Sequence, residues 1–332
     1  MKAMILEKTG PIEASPLRLS EIPIPEPGQG EIRIKVSACG VCHTDLHTVE
    51  GDLEIRKLPV IPGHQIVGTV DKTGPESEIH QIGDRVGVTW FFSGCGACSF
   101  CLEGRENLCS SAQFTGYHAN GGYAEYMTVP EGSAFPIPSV FSDADAAPLL
   151  CGGVIGYRAL RLSEIQPGGN LGLYGFGNSA HVVIQVAVKL GCRVHVFTRG
   201  EKHRQLAREL GAVWVGAPDE LSPTLLQASI IFAPAGPLVP VALRTLEKGG
   251  TLVLAGITMT PIPEMDYSLI YWERTVKSVA NTTRSDAREL LRIAAEIPIR
   301  TVVQEFSLER ANEVLLMMKN SELKAGAILT PA

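Results

Sequence analysis

The chain has 332 residues, of which 45% are hydrophobic and 19% charged, and its net charge is −6. One hydrophobic core stops growing near about 250 to 300 residues, so this length implies two. No cluster of Lys and Arg reads as a footprint for a phosphate backbone, so nucleic acid is not an expected partner. The opening residues lack the charged, apolar and cleavage segments of a secretory leader, and no apolar run reaches the roughly 18 residues that span a bilayer. A cytoplasmic chain with no membrane partner is expected, and in that reducing setting eight cysteines point to metal or catalysis rather than disulfides.

From residue 1 to about 150, short β-rich runs are broken by Gly and Pro. Glu31 to Val36 and Ile66 to Val70 alternate polar and apolar residues as half-buried strands do. This half reads as an irregular, barrel-like β domain. After residue 150 the pattern changes to strand, helix, strand, helix. Strands are predicted over 171–174, 193–198, 213–215, 229–233, 251–255 and 276–280, with helices over 179–190, 201–210 and 238–247. Six strands with covering helices predict a doubly wound parallel sheet. From about residue 285 the order is helix, strand, helix, strand.

Cys95, Cys98, Cys101 and Cys109 fall in one short loop, separated by two, two and seven residues. Close pairs let a compact turn present several sulfurs on one side, and four thiolates complete a closed tetrahedral zinc shell. With no ligand position open, that zinc is expected to be structural. The pattern lacks the Cys-Pro ending of the bacterial iron–sulfur motif.

Gly175, Gly177 and Ala180, with Asn178 and Ser179 between them, fit G-x-G-x-x-A at the junction of an apolar strand and a helix. The first glycine makes the turn, the second admits a dinucleotide pyrophosphate, and the small alanine lets helix and strand approach. About twenty residues on, NAD-specific sites carry an acidic residue for the ribose 2′-hydroxyl. Thr198 stands there, with Arg199 beside it, so NADP is favoured over NAD.

A second set of metal-ligating types is scattered: Cys39, Cys42, His43 and His47 early in the chain, Gly63-His64-Gln65 next, and Cys151 far downstream. Together with the four-Cys loop, the Gly83-Asp84-Arg85-Val86 turn, the Gly156 to Leu160 segment and the glycine loop, they resemble the zinc-dependent medium-chain alcohol dehydrogenase family over nearly the whole chain. The resemblance implies a GroES-like catalytic domain, residues 1–150 and 285–332, and a Rossmann domain, residues 151–284. It makes Cys42, His64 and Cys151 the ligands of a catalytic zinc with one open position, giving two zincs per chain, and leaves Cys39 to packing.

By the same resemblance Thr44 accepts the alcohol proton and His47 passes it outward. Asp45 orients His64, His43 contacts the cofactor pyrophosphate, and Trp90 walls the substrate pocket, with Leu53, Phe91 and Tyr267 as weaker candidates. Gln65 departs from the glutamate that many members carry after the zinc histidine. An amide there removes a negative charge behind the metal. The implied activity is hydride transfer between a small alcohol or aldehyde and NADP or NAD, in a homo-oligomer, a tetramer or dimer. Two rivals remain: a zinc-independent quinone or enone reductase on the same scaffold, and a non-catalytic nicotinamide-binding redox sensor.

Overall fold

In a computed structural model, residues 1–53, 57–297, 299–323 and 325–331 are described. The chain packs into two compact units, Met1–Cys151 with Asn281–Ala332, and Gly152–Ala280.

The first unit is organised around the strand Glu31–Val41. It buries Ile32, Ile34 and Val36 at alternate positions, as a pleated strand with one face in a core requires. Among the described residues its sheet runs Val303–Ser307, Gly326–Thr330, Glu31–Val41, Gln65–Thr73, Arg85–Val88, Ala134–Pro136, with Tyr126–Pro130 also paired to Glu31–Val41. Only Val303–Ser307 and Gly326–Thr330 run parallel. The expected C-terminal helix, strand, helix, strand is found as Arg284–Glu296, Val303–Ser307, Ala311–Lys319 and Gly326–Thr330. Pairing of Ala327 with Val41 and of Leu329 with Cys39 fastens this segment to the strand that leads into Cys42.

The second unit is a six-stranded sheet in the order Trp214–Gly216, Arg193–Phe197, Asn170–Tyr174, Leu226–Ile231, Leu246–Leu254, Thr275–Ser278, every pair parallel. Numbered along the chain, that order is the 3-2-1-4-5-6 of a doubly wound dinucleotide-binding fold. All five residues of Asn170–Tyr174 are buried, as expected of a central parallel strand covered on both faces. The helices Asn178–Lys189, Glu201–Glu209 and Leu238–Thr245 lie where periodicity places them. Two strands start earlier than predicted, at Leu226 and Leu246. In the second case Gly249 and Gly250 read as punctuation in the sequence, yet the strand continues through them, with Gly249 at φ +74°.

Among the described residues no helix is long and apolar enough to cross a membrane.

Candidate metal centre and cofactor loop

The strand Glu31–Val41 ends one residue before the helix His43–Glu50, and Cys42 between them is the extended N-cap. Its Sγ accepts a hydrogen bond from Thr44 N at 3.4 Å, and its own N–H donates to Asp45 Oδ2 at 2.9 Å. This reciprocal cap satisfies backbone donors that every helix start leaves open. The other Asp45 oxygen, Oδ1, lies 2.9 Å from His64 Nδ1. A carboxylate only accepts, so Nδ1 carries a proton, and the neutral imidazole that binds a metal has its lone pair on Nε2. That nitrogen faces Cys42 Sγ at 3.4 Å, and Cys42 Sγ is 3.9 Å from Cys151 Sγ.

The three donor atoms lie within 4.8 Å of one another. A tetrahedron with Zn–S of about 2.3 Å and Zn–N of about 2.0 Å has S–S and S–N edges of about 3.8 and 3.5 Å, which these separations match. The Cys151 sulfur and burial push the Cys42 thiol well above its ordinary range. The donor set therefore fits a divalent metal such as zinc. Cys39 takes no part. It is fully buried in the hydrophobic core, with its sulfur packed beneath Gly63 and Gly122.

Thr44 is buried in the first turn of the helix, two residues inside the cap, so Cys42 and not Thr44 is the capping residue. His43 is exposed, and its ring lies 6.5 Å from that of His47. His47 Nδ1 is 2.7 Å from Asp52 Oδ2. Asp52 escaped the sequence reading because the helix ends at Gly51, and helical spacing gives no signal past that end. Trp90 occupies a bend between the strands Arg85–Val88 and Phe91–Ser93, half-buried, 6.1 Å from the His64 ring and 4.7 Å from Phe114. Phe91 is core, 1% exposed beneath the Arg284 guanidinium, whereas Tyr267 is 69% exposed. Neither has the setting of a pocket wall.

Gln65 is buried opposite Gly40. A Cβ on Gly40 would come within 2.8 Å of Gln65 Oε1, so that glycine makes room for the amide. Tyr123, unmarked by any motif, is fully buried with its ring against Gly63.

Cys95, Cys98, Cys101 and Cys109 also bring their sulfurs within 4.8 Å of one another. Cys95 N donates to Cys109 Sγ and Cys98 N to Cys95 Sγ, each at 3.4 Å. The N–H groups of Ala97 and Cys98 hold the Cys95 thiol down to about 6. Such donors favour a thiolate, the form that binds metal.

In the second unit, Asn170–Tyr174 leads through Gly175 and Phe176 to Gly177, the N-cap of the helix Asn178–Lys189. Gly175 has φ +86°, and a Cβ there would lie 3.0 Å from Ala233 N. A Cβ on Gly177 would meet nothing within 4 Å, so the space over the helix N-terminus is open to a ligand. Asn178 and Ser179 begin that helix and Ala180 is fully buried beneath it. A helix start with uncapped donors attracts phosphate, so the loop fits a dinucleotide. Thr198 is buried at the end of Arg193–Phe197, its N bonded to Gly216 O and its O to Arg204 Nε, while Arg199 is exposed.

Comparison with known proteins agrees with this arrangement. Residues 28–139 match the alcohol dehydrogenase GroES-like domain and residues 180–296 the zinc-binding dehydrogenase domain. The chain is 43% identical to "Probable alcohol dehydrogenase AdhA" of Mycobacterium tuberculosis, over 99% of this chain and 97% of that one. It is 35% identical to an alcohol dehydrogenase of Geobacillus stearothermophilus, over 99% of both. Among solved structures, a cobalt- and zinc-bound thermostable alcohol dehydrogenase from Pyrobaculum aerophilum superposes with a TM-score of 0.89 at 26% identity, covering 100% of this chain and 99% of that one. With these matches running end to end, the chain belongs to the zinc-dependent medium-chain alcohol dehydrogenase family.

Proposed function

We propose that this protein is a zinc-dependent alcohol dehydrogenase, running in reverse as an aldehyde reductase, that moves a hydride between a small primary or secondary alcohol and a nicotinamide cofactor. The observation that carries the reading is the gathering of Cys42, His64 and Cys151, with no fourth protein ligand grouped with them among the described residues. Three protein ligands leave one position for substrate, as catalytic zinc sites do. Zinc held there supplies Lewis acidity that lowers the pKa of an alcohol hydroxyl. The four cysteines of the loop hold a second, structural zinc.

The chain's own residues do the rest. Asp45 holds His64 with Nε2 toward the metal position. Thr44 Oγ1 takes the hydroxyl proton from the alcohol. His47, anchored through Nδ1 on Asp52, exchanges that proton with solvent through Nε2. Trp90 packs beside His64 and walls the apolar end of the substrate. Gln65 leaves the metal's charge less compensated than a glutamate does.

The unit 1–151 with 281–332 is the catalytic one, and 152–280 binds the cofactor. The backbone N–H groups of Asn178 and Ser179, over Gly175, Gly177 and Ala180, hold the pyrophosphate. Thr198 removes the carboxylate that repels a 2′-phosphate and the exposed Arg199 attracts one, which selects NADP over NAD. The protein works in the cytoplasm as a homo-oligomer, dimer or tetramer. Neither a zinc-free quinone reductase nor a redox sensor accounts for an incomplete metal shell with a hydroxyl and an imidazole on the adjoining helix.

Initial rates with matched primary alcohols and aldehydes, and with NADP and NAD, test the reading before and after chelation. Turnover that is lost to the chelator and restored by zinc supports it. Turnover indifferent to the chelator refutes it.

A further inference from the structure

Among the described residues Tyr123 is one of the largest fully buried side chains, and the proposed mechanism leaves it without a task. Its ring crosses Gly63, the residue directly before His64. A Cβ on that glycine would come within 2.4 Å of Tyr123 Cδ1 and 2.8 Å of Cε1, so Gly63 exists in part to let the ring through. The ring thus packs against the backbone that leads into His64. There the hydroxyl is buried and has no hydrogen-bond partner in place. Burial raises the phenol well above its ordinary range, and the Asp45 carboxylate, then the Cys39 and Cys42 sulfurs, push it further. It is therefore a neutral O–H donor that feels Asp45 as its foremost charged neighbour.

Asp45 has the complementary deficit. Its carboxylate offers about four acceptor positions, and two are used, one by Cys42 N–H and one by His64 Nδ1–H. At 2% exposure it has little water to fill the others. A buried donor without an acceptor beside a buried acceptor with positions to spare is costly on both sides, and one hydrogen bond resolves both costs.

We infer that Tyr123 is a positioning residue of the metal centre, its hydroxyl being the third donor to the Asp45 carboxylate and so setting how firmly Asp45 aims His64. The inference rests on reading Cys42, His64 and Cys151 as a metal site. A third donor fixes the plane of the carboxylate, and with it the ring orientation of His64. Partners of this kind behind a metal-bound imidazole contribute to metal affinity although they never touch the ion.

The test loads the full-length protein with Co²⁺ and titrates it with a competing chelator, following the cobalt–thiolate absorption. The two-thiolate and four-thiolate centres separate by intensity. Wild type, Tyr123→Phe, Asp45→Asn and the double variant are compared, together with the thermal stability of each metal-free protein. The expected result is about a 10-fold loss of affinity at the two-thiolate centre in Tyr123→Phe, no change at the four-thiolate centre, and no added loss when Asp45→Asn is already present. Equal affinity in wild type and Tyr123→Phe overturns the inference, as does the same loss in the Asp45→Asn background. Unfolding of metal-free Tyr123→Phe overturns it too, because the hydroxyl would then serve the fold rather than the ion. If the wild type takes up cobalt only at the four-thiolate centre, the failure lies with the metal-site reading itself.

Discussion

Asp45 Oδ1 lies 2.9 Å from His64 Nδ1, while Oδ2 of the same carboxylate takes the backbone N–H of Cys42 at 2.9 Å. One side chain thus fixes two of the three metal-ligand positions, one through its imidazole and one through its main chain. Asp45→Asn keeps one oxygen to cap the helix but turns the other position into an NH2 donor, so His64 Nδ1–H loses its acceptor. Metal affinity at the Cys42–His64–Cys151 site is expected to fall roughly 10- to 100-fold, with the helix His43–Glu50 retained. Chelator competition measures the first and circular dichroism the second. Unchanged affinity would remove Asp45 from the site.

Thr44 and His47 share one helix, and only Thr44 is buried beside the metal ligands. Thr44→Val keeps the shape and deletes the hydroxyl proposed to accept the alcohol proton, so kcat should fall about 10²- to 10⁴-fold with little change in KM for the alcohol. His47→Gln should cost less, because solvent can replace an outer proton carrier, and added imidazole buffer should restore part of the rate. A Thr44→Val enzyme with normal kcat would put the proton route elsewhere.

Gln65 is buried and directly follows His64. Gln65→Glu adds a negative charge there, which raises the pKa of the group that must lose its proton for hydride to leave. The pH profile of alcohol oxidation should therefore move to higher pH. Steady-state rates across pH check this, and an unmoved profile would show that the residue does not tune the site.

The two glycines of the cofactor loop should fail differently. Gly175→Ala forces a side chain into φ +86° and against Ala233 N, at a cost to folding of about 1 to 2 kcal/mol. Gly177→Ala meets no protein atom within 4 Å, so thermal stability should hold. The added methyl enters the open space over the helix N-terminus, and KM for the nicotinamide cofactor should rise roughly tenfold, equivalent to about 1.4 kcal/mol. Thermal melts and cofactor titrations separate the two effects, and a Gly177→Ala protein with unaltered cofactor binding would argue against a pyrophosphate at this helix.

What the residues announced depended on how local the feature is. The four-Cys loop was legible because its ligands lie within fifteen residues, so their spacing alone states the chemistry. The parallel sheet was legible because each strand and helix carries its own period. Cys42, His64 and Cys151 meet only after the strands have paired, and no spacing rule links positions 42 and 151, so a family resemblance had to supply the set. Asp52 and Tyr123 were not seen at all. One reaches His47 from beyond a helix end, and the other packs beside the residue before His64 only because Gly63 leaves out a Cβ.

The central claim is that the site of Cys42, His64 and Cys151 holds a metal the reaction needs. Its most direct test is to measure zinc content, cofactor binding and turnover together in Cys151→Ser. The account predicts zinc falling from about two per chain to about one, cofactor binding retained, and turnover lost. Full turnover with one zinc would contradict it.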